Sequence, residues 1–285
     1  VNIAVVTDST ASLTQDHRDQ HGIAVIPLHV VIDGVDRPEG EGADTQWVED
    51  ALRAKADIST SRPTPATFLQ AYQQAAKGGA EAIISVHLSG LLSGTVDSAR
   101  SAAPESPVPV HVVDSRLIGM GLGFAAIGAA RDARAGRDVE DVVERLERRC
   151  AASSVRLVVH SLDRLRRGGR IGGARALLGS ALAMKPLLHV VDGEVQPLER
   201  VRTAGKAIAR LQALTEAECA QLPDWADGVD VAVHHIDAAE RAELLSQNLA
   251  EHIDGDVDLA AISAVVAAHV GLGLVGVAVS PRPRD

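Results

Sequence analysis

An α/β fold is predicted, and three observations predict it. Short β-branched runs alternate with amphipathic stretches from residue 3 to residue 159, the pattern of a parallel sheet wrapped by helices. Runs 187–191 and 195–201 flank Asp192-Gly193, a strong hairpin signal that brings antiparallel pairing into the second half. A chain of 285 residues with 46% apolar and 23% charged residues can bury one large or two ordinary cores.

Each element follows from its residues. Run 3–6 reads as the first strand, ending in Thr7-Asp8-Ser9-Thr10 before a helix over 13–21. Run 24–32 reads as one long strand, and Asp33-Gly34 as a turn opening a charged loop to Gly42. Asp44 or Thr45 can cap a helix running through Lys55. In Ser59-Thr60-Ser61-Arg62-Pro63-Thr64-Pro65, read as a loop, Thr64 is the cap and Pro65 the first position of a helix ending near Gly78-Gly79. Thr60 and Ser61 are not needed for that purpose.

Run 82–86 is a buried strand and 96–103 a helix, with His87-Leu88-Ser89-Gly90-Leu91-Leu92-Ser93-Gly94-Thr95 between them. A strand that stops in Ser and Gly and restarts as a helix exposes free amides, which favour an anion. Gly90 and Gly94 would let it approach the backbone, and Ser89, Ser93 and Thr95 can add hydroxyl donors. The plainer reading is a glycine-rich turn with Ser93 as helix cap. No Gly-Lys-Ser/Thr follows, so it is not a Walker A loop.

Strand 108–113, a helix from about Gly119 to Ala135, a helix over 138–151 capped by Asp138 and strand 155–159 continue the alternation. Gly121-Leu122-Gly123-Phe124-Ala125-Ala126 matches a dinucleotide fingerprint on paper, but seven residues separate it from the strand, and close helix packing is expected instead. Residues 162–173 carry Arg164, Arg166, Arg167 and Arg170 among four glycines, followed by Arg175, a local reversal of sign in a chain of net charge −10. Such a run is either a solvated basic face or a site for a carboxylate, phosphate or acidic surface. Arg200, Arg202 and Lys206 follow the hairpin, and Thr203 can cap a helix through Cys219. Strand 230–235, helix 238–248 and strands 257–262 and 275–279 complete the chain, with His269 beside glycines in the tail. There G-x-G-x-x-G recurs at 271–276, where its context rules out a Rossmann reading.

Composition excludes several classes. The net charge of −10 and 2% aromatic content argue against nucleic acid or an anionic membrane as main partner. No apolar run approaches membrane-spanning length, and the first residues lack a basic region and a long apolar core, so neither membrane insertion nor a secretory leader is expected. Two cysteines without metal or redox spacing fit a reducing, cytoplasmic setting without a metal or other cofactor.

Taken in order, the motifs resemble those of the DegV family of bacterial fatty-acid-binding proteins: Thr7-Asp8-Ser9, Thr60-Ser61-x-Pro63, Leu92-Ser93-Gly94-Thr95, Val113-Asp114-Ser115, Leu165-x-x-Gly168-Gly169-Arg170-Ile171, Lys185-Pro186, Arg200-x-Arg202 and His269-x-Gly271. The resemblance implies an N-terminal Rossmann-like α/β/α domain over 1–155, a C-terminal α+β domain with a mixed sheet over 156–285, and a ligand tunnel between them. It implies a non-catalytic carrier of a long-chain fatty acid such as palmitate or oleate, whose carboxylate meets Thr60, Ser61, Ser93, Gly94 and His269. A separate ATP-binding fatty acid kinase subunit would phosphorylate that carboxylate, with Arg170, Arg202, Arg166 and Arg167 near the head group or facing the partner. Arg62, Gly119 and Leu272 stand where the family commonly has Gln, Ser and Pro. Two other readings are a serine hydrolase acting on a lipid or acyl ester and a phosphate or nucleotide binder. Neither has its motif, since no G-x-S-x-G surrounds Ser93.

Overall fold

The computed structural model describes residues 1–40, 43–177 and 185–284, the side chains of 175–177 excepted; Gly42 and the Arg175 side chain therefore lie outside the described residues. In chain order the elements are β1 (Ile3–Asp8), α1 (Gln15–His21), β2 (Ile23–Ile26), β3 (His29–Ile32), β4 (Val35–Pro38), α2 (Thr45–Arg53), β5 (Ile58–Ser61), α3 (Pro65–Lys77), β6 (Ala82–His87), α4 (Thr95–Ala102), β7 (Val110–Asp114), α5 (Met120–Arg134) and α6 (Val139–Ala152). They continue with β8 (Ser154–Val158), α7 (Asp163–Arg167), β9 (Lys185–Val191), β10 (Glu194–Val201), α8 (Ala204–Cys219), β11 (Ala226–Ile236), α9 (Ala239–His252), β12 (Val257–Ala261), α10 (Ala264–Val270) and β13 (Leu274–Pro283).

The first sheet is parallel, in the order β2-β1-β6-β7. Every residue of β6 is buried, as expected of a strand with helices on both faces. Ile83 packs with Val6, Phe68, Tyr72 and Ala99 on the face of α3 and α4. Ile84 and Val86 pack with Met120 and Leu122 on the face of α5. The glycines of α5 serve the expected close packing: a Cβ on Gly123 would stand 2.6 Å from the Ala11 carbonyl oxygen, and one on Gly121 2.8 Å from Val155.

The second sheet is mixed, in the order β10-β9-β8-β13-β11-β12. Only β11 and β12 pair in parallel within it. Alternation along β13 sends Val275, Val277 and Val279 to the face of α8 and α9, and Leu274 and Ala278 to the core shared with α5. The β9–β10 hairpin turns at Asp192 (φ 50°) and Gly193 (φ 85°), the left-handed pair that a two-residue turn requires.

A third sheet, β4-β3-β5, is antiparallel and corrects three expectations. Run 24–32 is two strands in two sheets, because Pro27 lacks a ladder donor and the Leu28 amide turns to Ser9 Oγ (3.0 Å). The supposed charged loop holds β4, closed onto β3 by Asp33-Gly34. The hydroxyl segment is likewise not a loop up to Ser61: β5 pairs Thr60 with Val30 and Ser61 with His29. Helix α10 was not legible either, since a short apolar run has no decisive periodicity.

Candidate functional site

A cavity of about 410 Å³ opens where the three sheets meet, within the roughly 300–1,000 Å³ typical of small-molecule sites. Its wall draws on both sides of position 155: Leu88 and Ile118 from the first part, Leu157, Val190, Val266 and Leu274 from the second. Most of the wall is aliphatic. Thr60, Ser61, Arg62, Ser93, Gly94, Arg170 and His269 form one polar part of it, and Thr10, Arg156 and His234 are its other polar wall residues.

That group forms because β5 and α10 are brought beside the 88–94 segment. Thr60 Oγ1 and His269 Nε2 lie 2.8 Å apart and share a hydrogen bond. His269 also sits over Gly168, where a Cβ would come within 2.4 Å of its Nδ1, so only glycine fits there. Burial, reinforced by the positive charge of Arg170, pulls the His269 pKa down to about 4, leaving a neutral imidazole at neutral pH. Ser93 Oγ bonds Thr95 Oγ1 (2.9 Å) and does not cap α4. The N-cap of α4 is Gly94, with no side-chain acceptor, so the first-turn amides are uncapped. Arg62 Nη1 donates to the Gly94 carbonyl (3.3 Å), and Arg170 Nε donates to the Leu92 carbonyl (3.0 Å).

Two expected anion contacts are otherwise engaged. Ser89 is fully buried and donates its Oγ proton to the Gly193 carbonyl (2.7 Å), which latches the β9–β10 hairpin onto the segment. The Gly90 amide donates to Asp114 (3.1 Å). Arg166, Arg167 and Arg202 are exposed and do not line the cavity, and neither does the half-buried Leu272.

Gly119 does line it, and the structure explains why glycine stands there. Its φ is +62°, and a Cβ would meet His234 Nε2 at 3.0 Å. His234, a wall residue that sequence reasoning missed, is buried in β11 with no motif around it. Its Nε2 accepts from the Met120 amide (2.9 Å) and its Nδ1 proton goes to the Ala260 carbonyl (3.1 Å). Burial pulls its pKa down to about 4. The sign is therefore fixed: below the ordinary 6.5 the unfolded chain takes up a proton that folded His234 refuses. Stability from His234 is full above pH 6.5 and drains away as pH falls toward 4, by about 3 kcal/mol across that window. Urea midpoints at a series of pH values should show this slope together with that of His269, which is likewise held near 4, and His234→Gln should reduce it to the share of His269; an unchanged slope would assign the effect elsewhere.

The geometry does not support hydrolase chemistry. Ser93 has no histidine partner among its hydrogen bonds. A Ser–His–Asp line does exist, from Ser85 Oγ through His87 (2.6 Å) to Asp8 (3.0 Å), but Ser85 is fully buried, bonds onward to Tyr72 (2.8 Å) and does not line the cavity. Cys150 and Cys219 are free thiols that burial pushes up to about 12 and about 11. Among the described residues no group of three or more His, Cys, Asp or Glu could hold a metal, and no helix is long and apolar enough to cross a membrane.

The family model described as uncharacterised protein, DegV family, matches residues 2–282. The chain belongs to the DegV family. A DegV domain-containing protein of Streptomyces coelicolor is 46% identical, with 99% of each chain covered. Among solved DegV structures, one from Thermus thermophilus, described by its fatty acid binding, superposes with a TM-score of 0.92 at 32% identity over 99% of this chain and 100% of that one. DegV of Bacillus subtilis, described as a fatty acid binding protein, gives 0.88 at 32% identity over 98% and 99% of the two chains. DegV relatives thus bind fatty acids, and the α/β fold with its parallel and mixed sheets is the DegV fold.

Proposed function

We propose that this chain binds a long-chain fatty acid, such as palmitate or oleate, with its tail in the aliphatic cavity and its carboxylate at the polar group. The observation that carries the reading is one cavity with a mostly aliphatic wall in which hydroxyls, a neutral imidazole and an uncapped helix start lie close together. Burying about fourteen methylenes at ~0.8 kcal/mol each offers roughly 11 kcal/mol before ordering costs. Each carboxylate hydrogen bond adds ~1.5–3 kcal/mol. The tail sets affinity; Ser61, Ser93, Thr60, His269 and the Gly94 backbone set register and the direction the carboxylate faces.

The chain acts as a carrier, and a separate ATP-binding kinase subunit performs the chemistry. In that step a carboxylate oxygen attacks the γ-phosphorus of ATP, the bond to the bridging oxygen breaks, and acyl phosphate and ADP result. Exposed Arg166, Arg167 and Arg202, which the family resemblance assigns to the head group or the partner, support a hand-over face, since guanidinium groups in water suit an acidic partner surface.

Solvent extraction of the purified protein followed by mass spectrometry should release a fatty acid, and added palmitate should raise the Tm. Ser93→Ala and Ser61→Ala should each weaken palmitate binding by ~1–3 kcal/mol. Arg166→Glu should leave palmitate affinity unchanged and slow acyl-phosphate formation by a cognate kinase. A ligand-free protein whose Tm ignores palmitate would sink the reading.

A further inference from the structure

Helix α10 supplies one side of the cavity: Val265, Val266, His269 and Val270 all line it. A helix of seven residues does not hold its own shape in water, so its place depends on what fixes its ends. The far end is tied by the Thr60–His269 hydrogen bond. The near end is tied by Glu39, a half-buried residue that follows β4 and does not line the cavity.

Donors converge on the Glu39 carboxylate from several elements. Oε1 accepts from the Ala264 amide (2.5 Å) and Oε2 from the Ser263 hydroxyl (3.0 Å). The Ser9 hydroxyl and the Val265 amide donate to it as well. The Glu39 amide in turn donates to the Leu28 carbonyl (2.8 Å). Ser9 follows β1, Glu39 follows β4 and Ser263 follows β12, so one carboxylate joins strand ends from all three sheets. Thr10 beside Ser9, Ile262 beside Ser263, Leu28 and Val265 are all wall residues, so Glu39 stands directly behind the wall. Burial raises its pKa, against the pull of these hydrogen bonds. A proton on the carboxyl would turn one acceptor into a donor facing other donors.

We propose that ionised Glu39 is a positioning residue for fatty-acid binding, holding α10 so that Val266 meets the tail and His269 the carboxylate. The inference rests on the fatty-acid reading for the ligand and adds to that site a residue outside the cavity. Charge alone predicts the opposite sign, since removing a negative charge near an anionic ligand tightens binding. Bracing predicts weaker binding, because the amides and hydroxyls at the start of α10 lose their acceptor.

Palmitate calorimetry and hydrogen exchange on delipidated parent, Glu39→Gln and Asp138→Ala test the proposal. Asp138 caps α6 and does not line the cavity, so its variant reports loss of a cap elsewhere. At neutral pH, Glu39→Gln should weaken palmitate about tenfold and speed exchange of the α10 amides. Asp138→Ala should change palmitate affinity by less than about twofold. The ratio of parent to Glu39→Gln affinity should fall toward one as pH drops through the titration of Glu39, because the parent then loses the same charge. Arg18 of α1 and Asp44 before α2 share the surroundings of Glu39. They, His269 and the palmitate carboxyl are common to both proteins, so their share cancels in the ratio. If Glu39→Gln does not fold, Ser263→Ala removes one donor and keeps the carboxylate; palmitate should then weaken about threefold. Affinity that is unchanged or tighter in the variant overturns the proposal, as does a ratio that ignores pH or a loss matched by Asp138→Ala. If palmitate fails to bind the parent, the fatty-acid reading falls, and exchange of the α10 amides alone decides whether Glu39 holds the helix.

Discussion

Replacing Val266 by Trp is expected to weaken palmitate binding by a factor on the order of a hundred to several thousand. Val266 lies on α10, is 6% exposed, and faces the cavity. An indole there fills space that the tail needs, and every methylene beyond the obstruction is lost. Displacing four to six methylenes at ~0.8 kcal/mol each removes ~3–5 kcal/mol, which converts to that range of affinity. The ligand-free variant should remain folded, because the ring enters a cavity rather than a filled core, with a stability change of no more than ~1–3 kcal/mol. Calorimetry with palmitate and thermal melts of delipidated protein check both halves. The comparison with Ser93→Ala carries the argument: if removing one hydroxyl costs more than obstructing the tail, the carboxylate and not the chain sets affinity, and the energetic account given above is wrong.

Asp8→Ala is expected to cost ~3–5 kcal/mol of folding stability and to lower the Tm by roughly 10 °C. Asp8 is fully buried at the C-terminal end of β1. Its Oδ1 accepts from the Thr10 amide (3.1 Å) and the Thr10 hydroxyl (2.5 Å). Its Oδ2 accepts from the Leu88 amide (3.0 Å) and lies 3.0 Å from His87 Nδ1. Alanine would orphan these donors in the core, at the point where β6 gives way to the segment carrying Ser93. Asp8→Asn keeps one good acceptor and should fall between parent and Asp8→Ala. The Asp8→Ala protein should also bind palmitate more weakly than the parent, although Asp8 does not line the cavity. Urea denaturation with and without palmitate separates the two effects. A variant as stable as the parent would mean that water replaces the carboxylate and that the line through His87, Ser85 and Tyr72 is not a unit.

Much of this arrangement was legible because its causes are local. The Asp192-Gly193 turn, the Thr64 and Pro65 start of α3, the Asp138 cap of α6 and the Thr203 cap of α8 follow from side chains that bond their own neighbouring backbone or permit a left-handed turn. The buried β6 followed by a Ser-Gly segment marked where an anion could sit, and Ser93 and Gly94 do line the cavity. Ser89 and Gly90 read identically in sequence yet serve the fold, through Gly193 and Asp114. Nothing local distinguishes them, because their partners are 104 and 24 residues away.

What the sequence determined by itself was the class of fold, the strands and helices whose period and caps are short-range, the family, and the residue types able to meet a carboxylate. Only the tertiary structure decided which of them share a site. Thr60 and His269 are 209 residues apart and meet because β5 pairs with β3 while α10 packs beneath them. His234 enters the wall from the middle of a strand, its tautomer set by the Met120 amide and the Ala260 carbonyl. The arginines of α7 read in sequence as one basic run, but the short helix leaves Arg164 half-buried while Arg166 and Arg167 are exposed. Residue type and period act over a few neighbours; desolvation, charge pairing and cavity shape depend on which distant segments are packed together, and those belong to the folded chain alone.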